Sequence, residues 1–395
     1  MDLFDKCRDF KIADLLIEKN IYPYFHALET KQDTEVVMEG IKQIMLGSNN
    51  YLGLTIHPEV IEAGKNAILE YGSGCSGSRF LNGTTTLHLK LEEELAEFLN
   101  KESCVTFSTG FQSNLGIVSC IAGRNDYIIG DKENHASIYD ACRLSYAKLL
   151  RYKHNDMEDL ERQLKSIPED AGKLIVTDGV FSMGGDLCNL PEIVKLAKKY
   201  NARVMVDDAH GLGVVGKGGR GTASHFGLEK EVDIIMGTFS KSLASLGGYM
   251  VASKQVCNYV RHNSRPFIFA ASITPTSVQC ARKALEILKR EPERVERLKE
   301  ISDYAREQLR KKKVDIRDSY APIIPLNTYD NEITFLVCKR LFDKGVYVNS
   351  VVSPAVPVGE AIIRTSYMAT LTKEQIDRAT DIIAEVMEEF NLLKK

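Results

Sequence analysis

Arg203-Val204-Met205-Val206-Asp207-Asp208-Ala209-His210 is an apolar run of strand length that ends on two acids and a histidine. A strand that is apolar throughout and releases polar groups only at its carboxyl end suits the middle of an open α/β sheet, where ligands bind. Runs of the same kind stand at Cys104–Ser108, Tyr127–Gly130, Leu174–Asp178, Ile234–Thr238 and Gly248–Val251. Amphipathic stretches such as Thr86–Leu99 and Leu190–Tyr200 lie between them. This alternation predicts an α/β domain with a largely parallel sheet covered on both faces.

The texture changes on either side of that core. Residues 1–50 read as a charged, partly helical arm, residues 51–280 as the large domain, and residues 281–395 as a smaller α+β domain. In the last, Ala281–Lys313 reads as a long charge-rich helix, and Glu332–Val337 and Gly345–Val348 read as strands. Thr372 is placed to cap a closing helix that runs to Phe390, with Glu374 in its first turn.

The 395 residues carry 51 basic and 54 acidic side chains, a net charge of −3, which argues against a nucleic-acid binder with its concentrated basic surface. Nine cysteines are scattered without a C-x-x-C pair, and the eight histidines form no H-E-x-x-H. The expectation is reduced thiols in a cytoplasmic protein, with no disulfide framework and no metal site. No apolar run has the length of a membrane span, and no apolar stretch follows a basic flank as in a signal peptide. Leu3, Phe4, Cys7 and Phe10 form a short apolar stripe that suits a dimer or core contact better than peripheral attachment to a membrane.

Two nucleotide motifs are imitated between Gly211 and Gly221. Gly211 to Lys217 spells G-x-x-x-x-G-K, but Gly218 stands where a hydroxyl must hold magnesium. Gly216, Gly218 and Gly221 spell G-x-G-x-x-G, yet the strand that should precede them ended at Asp207. The segment is expected to be a glycine-rich surface loop.

Three strand ends carry the chemistry. Beside Asp207 and His210, the run Asp233–Ser242 delivers Thr238, Ser240 and Lys241, and Phe107–Asn114 offers a strand, the Gly110 turn and a helix start. Backbone N–H groups at a helix start cradle anions. These groups meet the needs of pyridoxal phosphate, with Lys241 for the aldehyde and Asp207 for the ring nitrogen. Gly110, Phe111, Thr238 and Ser240 suit its phosphate, and His210 is placed to reach the ring oxygen. Singly, each residue has a plainer reading, Asp207 and His135 as helix caps and Lys241 as a solvated lysine. Jointly, in this order and each at a strand end, the cofactor reading prevails.

The chain resembles the α-oxoamine synthases, fold-type I pyridoxal-phosphate enzymes, nearly end to end. The resemblance rests on Ser48–Leu54, Gly72–Gly83, Gly179–Asp186, Val206–His210 and Gly237–Ser242. Within the family it is most similar to the bacterial members that join L-serine to palmitoyl-CoA, through Ser78–Gly83, Gly221–Gly227, Ser240–Gly247 and Val352–Pro357. Asp208 stands where the family commonly has Glu, and Ala355 replaces a threonine of the biotin-pathway branch.

The resemblance implies a seven-stranded, mostly parallel mixed sheet between helices, and a homodimer with its active site at the subunit interface. It implies that Lys241 forms the Schiff base and moves the Cα proton, and that His135 stacks on the ring and touches the amino-acid carboxylate. Asp207 would pair with the ring nitrogen and His210 with the ring oxygen, with Ser182 near the ring. Asn50 and Arg364 match the carboxylate-binding pair, and Ala271 and Ser272 match a segment reaching the neighbouring subunit's phosphate. The implied reaction is a decarboxylative Claisen-type condensation of L-serine with a long-chain acyl-CoA to 3-ketodihydrosphingosine, the entry to sphingolipids. The rivals are siblings, glycine C-acetyltransferase and 8-amino-7-oxononanoate synthase, and a catalytically silent partner subunit. The presence of Lys241, Asp207, His210 and His135 argues against the last.

Overall fold

Val36 and Met38 alternate with half-buried neighbours in β1 (Glu35–Met38), which pairs antiparallel with β2 (Ile41–Met45) in the computed structural model, which describes residues 2–394. The chain divides into two units, Met1–Ser48 with Glu300–Lys395, and Asn49–Lys299. The division after Lys299, not at 280, corrects the expected boundary. Helix Pro275–Arg290 buries Val278, Ala281, Leu285 and Leu288 and packs on helix Pro58–Tyr71, so it belongs to the larger unit.

The larger unit is built on one seven-stranded sheet. Its strands are β3 (Ser103–Phe107), β4 (Tyr127–Asp131), β5 (Lys148–Tyr152), β6 (Lys173–Asp178), β7 (Arg203–Asp207), β8 (Ile234–Thr238) and β9 (Gly248–Ala252). The order is β3-β9-β8-β7-β6-β4-β5, with β9 antiparallel to both neighbours and the remaining pairs parallel. Every residue of β6, β8 and β9 is buried, as a sheet covered on both faces requires. The apolar core on one side gathers Val105, Ile128, Val176, Met205 and Met236 with Ile117 and Val118 of helix Gly110–Ile121. The edge strand β5 escaped the sequence reading because its Lys-Leu-Leu-Arg-Tyr pattern carries no uniform apolar run.

In the smaller unit β10 (Ile323–Tyr329) and β12 (Asn349–Val351) flank β13 (Ala361–Ser366), while the two-residue β11 (Val346–Tyr347) adds to β2 in parallel. Glu332–Val337, expected as a strand, lies inside helix Asn331–Asp343. The local β-branched and aromatic composition is overridden by burial at helical spacing: Thr334, Val337, Cys338, Leu341 and Phe342. Asp330 starts that helix, its carboxylate accepting the Ile333 N–H at 3.0 Å. The long helix expected over Ala281–Lys313 is two, Pro275–Arg290 and Glu293–Lys311, broken at Pro292. The closing helix spans Lys373–Glu389, and its capping box pairs Thr372 with Gln375.

Candidate active site

Parallel strands converge their carboxyl ends on one edge, and here that edge holds a cavity of about 240 Å³. Gly110, Phe111, His135, Asp207, His210, Thr238, Ser240 and Lys241 all line it, although 131 residues separate the first from the last. The same wall carries Asn114, Ser137, Asp178 and Leu246, to which the sequence reading gave no role.

Each side chain arrives by a local device. Thr109 caps helix Gly110–Ile121, its hydroxyl accepting the Gln112 N–H at 3.1 Å, and so turns the first N–H groups of the helix toward the cavity. Only glycine fits at 110, because a Cβ there would stand 2.8 Å from the Thr238 Cβ. The Thr238 and Ser240 hydroxyls sit 3.0 Å apart opposite that turn. The helix N-terminus and the Ser240 hydroxyl form a donor set suited to a phosphate, with the Thr238 hydroxyl beside them donating to the Gly247 carbonyl at 2.9 Å. The cavity thus fits pyridoxal phosphate, with an anion cradle at one wall, Lys241 beside it and a buried carboxylate beyond.

Asp207 is buried at the end of β7 and takes two N–H donors, Asn114 Nδ2 at 2.7 Å and the Ala209 amide at 3.0 Å. Asp178 stands opposite it at the end of β6. Complete burial, reinforced by the Asp207 charge, pushes Asp178 well above the usual carboxylate range. His210 Nδ1 lies 2.7 Å from the hydroxyl of Tyr51, a fully buried residue of the Ser48–Leu54 segment. His135 caps helix Ala136–Ser145 and lines the cavity at once, so the cap and cofactor readings of this residue are compatible. Burial holds the His135 pKa below its ordinary value, with Asp207 opposing and Lys241 reinforcing the shift.

Gly211–Val215 is buried, which corrects the first half of the expected surface loop, while Lys217 and Arg220 in the second half are exposed. The turn wraps around Asp208, whose carboxylate accepts the Thr222 N–H at 2.7 Å and its hydroxyl at 2.6 Å. A Cβ at Gly211 or Gly221 would fall 1.8 Å from an Asp208 oxygen, so the glycines serve packing around an acid. Burial, opposed by the Thr222 bonds, pushes Asp208 up to about 7.

Other expected site residues stand outside the cavity wall. Ser182 is half-buried on the loop leaving β6, and Asn50 is buried with its amide 2.7 Å from the Thr55 hydroxyl. Ser272 donates to the Gly77 carbonyl at 3.1 Å, and the Ala271 carbonyl accepts from the Ser108 hydroxyl. Arg364 lies in the smaller unit on β13, buried, donating to the Ser366 hydroxyl at 2.9 Å.

The Ser182 loop is held by a histidine that the sequence reading passed over. His154 places Nδ1 3.0 Å from Asp131 and Nε2 2.9 Å from Asp186, so both ring nitrogens face carboxylates. Burial opposes its charge, but the bonds to Asp131 and Asp186 outweigh that and raise its pKa to about 10. Its folded value therefore exceeds an unfolded value near ~6.5, and the clamp stabilises fully below pH ~6.5 and fades toward pH ~10. The stability margin of the wild type over His154→Gln should be about 2–4 kcal/mol at pH 6 and shrink steadily to pH 10. Urea unfolding across that range measures it, and a margin independent of pH contradicts the charged clamp.

Comparison with known proteins places this geometry. The aminotransferase class I and II family model matches residues 41–383. The chain is 52% identical to the serine palmitoyltransferase of Sphingobacterium spiritivorum, over 98% of this chain and 97% of that one. It is 43% identical to 8-amino-7-oxononanoate synthase 1 of Bacillus velezensis, over 96% and 97% of the two chains. Its fold superposes on a serine palmitoyltransferase from S. paucimobilis with bound PLP–myriocin at a TM-score of 0.96 and 36% identity, covering all of both chains.

Proposed function

The chain belongs to the α-oxoamine synthases of the aminotransferase class I and II family, and from that premise we propose that it condenses L-serine with a long-chain acyl-CoA. The products are 3-ketodihydrosphingosine, coenzyme A and carbon dioxide, the first step toward sphingolipids. The observation that carries this reading is the 52% identity to a serine palmitoyltransferase over nearly the whole chain, against 43% to the biotin-pathway sibling.

Pyridoxal phosphate, when bound, supplies an electron sink for the pair left at the serine Cα. Lys241 would hold its aldehyde and Asp207 its ring nitrogen. The N–H groups at Gly110 and Phe111 and the Ser240 hydroxyl would hold its phosphate, with Thr238 beside them. His210, fixed through Tyr51, would face the ring oxygen, with Ser182 nearby. His135 would lie over the ring and, with Asn50 and Arg364, would orient the serine carboxylate. The Lys241 amine takes the Cα proton and returns one to the same carbon after carbon dioxide has left. Between those transfers Cα bonds to the thioester carbonyl and the C–S bond breaks, releasing coenzyme A as a thiolate that takes its proton from solvent.

We place the working enzyme in the cytoplasm as a homodimer, with Ala271 and Ser272 reaching the phosphate of the neighbouring subunit. Ala271 is exposed in the single chain, which supports that reading. Among the described residues no helix is long and apolar enough to cross a membrane. Leu3, Phe4 and Phe10 are exposed on the arm, where a partner subunit or a membrane surface would meet them.

Absorbance titration of the holoenzyme with L-serine, glycine and L-alanine, followed by thioesters of increasing length, tests the assignment. The expected result is a serine preference of at least ~10-fold, with free thiol released by palmitoyl-CoA. A stronger response to glycine or alanine with a short thioester assigns a sibling activity instead.

A further inference from the structure

Two residues to which the sequence assigns no role of their own join His135 to Asp207. Asn114 lies one helical turn after Gly110, and Ser137 lies two residues after His135. Both are buried, at 1% and 0% exposure. Asn114 Nδ2 stands 2.7 Å from Asp207 Oδ2 and 2.9 Å from Ser137 Oγ, and Ser137 Oγ stands 2.7 Å from His135 Nδ1.

These contacts have one consistent direction. An ionised carboxylate only accepts, so Asn114 must turn its NH₂ toward Asp207, and its second proton then points at Ser137 Oγ. The Ser137 proton is left to donate to His135 Nδ1. The Ser137 backbone N–H, which never accepts, points at the same nitrogen at 3.3 Å. His135 Nδ1 is therefore an acceptor, and a neutral imidazole carries its proton on Nε2. The arrangement leaves Asn114 Oδ1 buried without a partner. A flipped amide would give that oxygen other neighbours but would set it against Asp207, so the orphaned carbonyl is the price of the orientation.

We propose that Asn114 and Ser137 are positioning residues that hold His135 in the neutral Nε2–H tautomer and tie its ring to Asp207. The inference rests on the assignment of His135 to the amino-acid carboxylate. A carboxylate needs a donor, and the Nε2–H tautomer supplies one from the nitrogen not engaged by Ser137. Asp207 and Lys241 act on the His135 ring by charge, and Asp178 meets its backbone N–H at 3.3 Å. Ser137 makes the side-chain bond that selects the tautomer.

The test uses ¹⁵N-histidine-labelled holoenzyme, with the His135 signal identified by its loss in His135→Gln. The wild type is expected to show the neutral Nε2–H pattern at pH 7. Ser137→Ala should move that signal toward a tautomer mixture and raise the KM for serine at least ~10-fold with little change in kcat, and Ser137→Thr should restore both. Asn114→Asp keeps the side-chain shape but replaces two donors by acceptors. It should shift the His135 signal and weaken pyridoxal-phosphate binding by at least ~10-fold. An unchanged His135 signal in both Ser137→Ala and Asn114→Asp overturns the proposal. So does a wild type protonated on Nδ1. The tautomer is read without amino acid or thioester, so a wrong substrate assignment would show in the titration and leave this result intact. Should Asn114→Asp fail to fold, Ser137→Ala decides alone.

Discussion

Lys241→Ala is expected to leave a folded protein whose turnover of serine and palmitoyl-CoA falls by at least ~10²–10⁴-fold. The loss should be chemical because the side chain lines the cavity while its backbone does the structural work. The Ala244 N–H donates to the Lys241 carbonyl at 3.1 Å, and the Phe239 N–H to the Gly247 carbonyl at 2.9 Å, and both bonds survive truncation. The long-wavelength absorbance of the lysine-bound cofactor, near ~420 nm, should vanish as well. A second signature follows from charge. Lys241 helps to depress the His135 pKa, so its removal lets that value rise, and His135 then needs a higher pH to remain neutral. Serine binding by the variant should accordingly shift its pH profile upward. Turnover within ~10-fold of the wild type, or an unchanged absorbance band, removes Lys241 from the mechanism.

Asp207→Asn has the second-largest expected effect, and it acts on stability and activity together. Two N–H donors point at the two carboxylate oxygens, Ala209 at one and Asn114 at the other. An asparagine offers one oxygen and one NH₂, so one of those donors must face another donor. A buried donor left in that state costs about 1–3 kcal/mol. The charge that would keep the cofactor's ring nitrogen protonated is lost in the same step, and turnover should fall ~10²–10³-fold. Loss of the carboxylate also removes the charge that props up His135, so its pKa should fall further. Urea unfolding of the apoprotein separates the stability effect from the kinetic one. A variant as stable and as active as the wild type would show that Asp207 is only a cap.

The two predictions draw on residues that differed in how visible they were. Asp207, Lys241 and His210 stood out because each follows an apolar run, and a strand that ends in polar residues announces where the sheet meets solvent or ligand. Asn114 and Ser137 carry no such mark. Their roles depend on helices Gly110–Ile121 and Ala136–Ser145 lying side by side, and one-dimensional spacing does not encode that neighbourhood. His154 was missed for the same reason, since its partners Asp131 and Asp186 come from a different strand and a different loop.

Local patterns misled where burial ran against composition. Glu332–Val337 has the β-branched and aromatic content of a strand, yet it packs as a helix because its buried positions recur at helical spacing through Phe342. The glycines between Gly211 and Gly221 read as a solvated loop because glycine is common in loops. Here the missing side chains of Gly211 and Gly221 make room for Asp208. In both cases the deciding term was what lay opposite in space.

By itself the sequence determined the α/β class, the carboxyl-end placement of lysine, aspartate and histidine, and the need for a cofactor with an aldehyde, a basic ring and a phosphate. Those follow from periodicity and functional groups, both local properties of the chain. Only the tertiary structure decided which nitrogen of His135 is engaged, why Asp208 is ringed by glycines, and what holds the Ser182 loop. Hydrogen-bond direction and close packing arise between segments distant in sequence, and they take a value only once the sheet has brought those segments together.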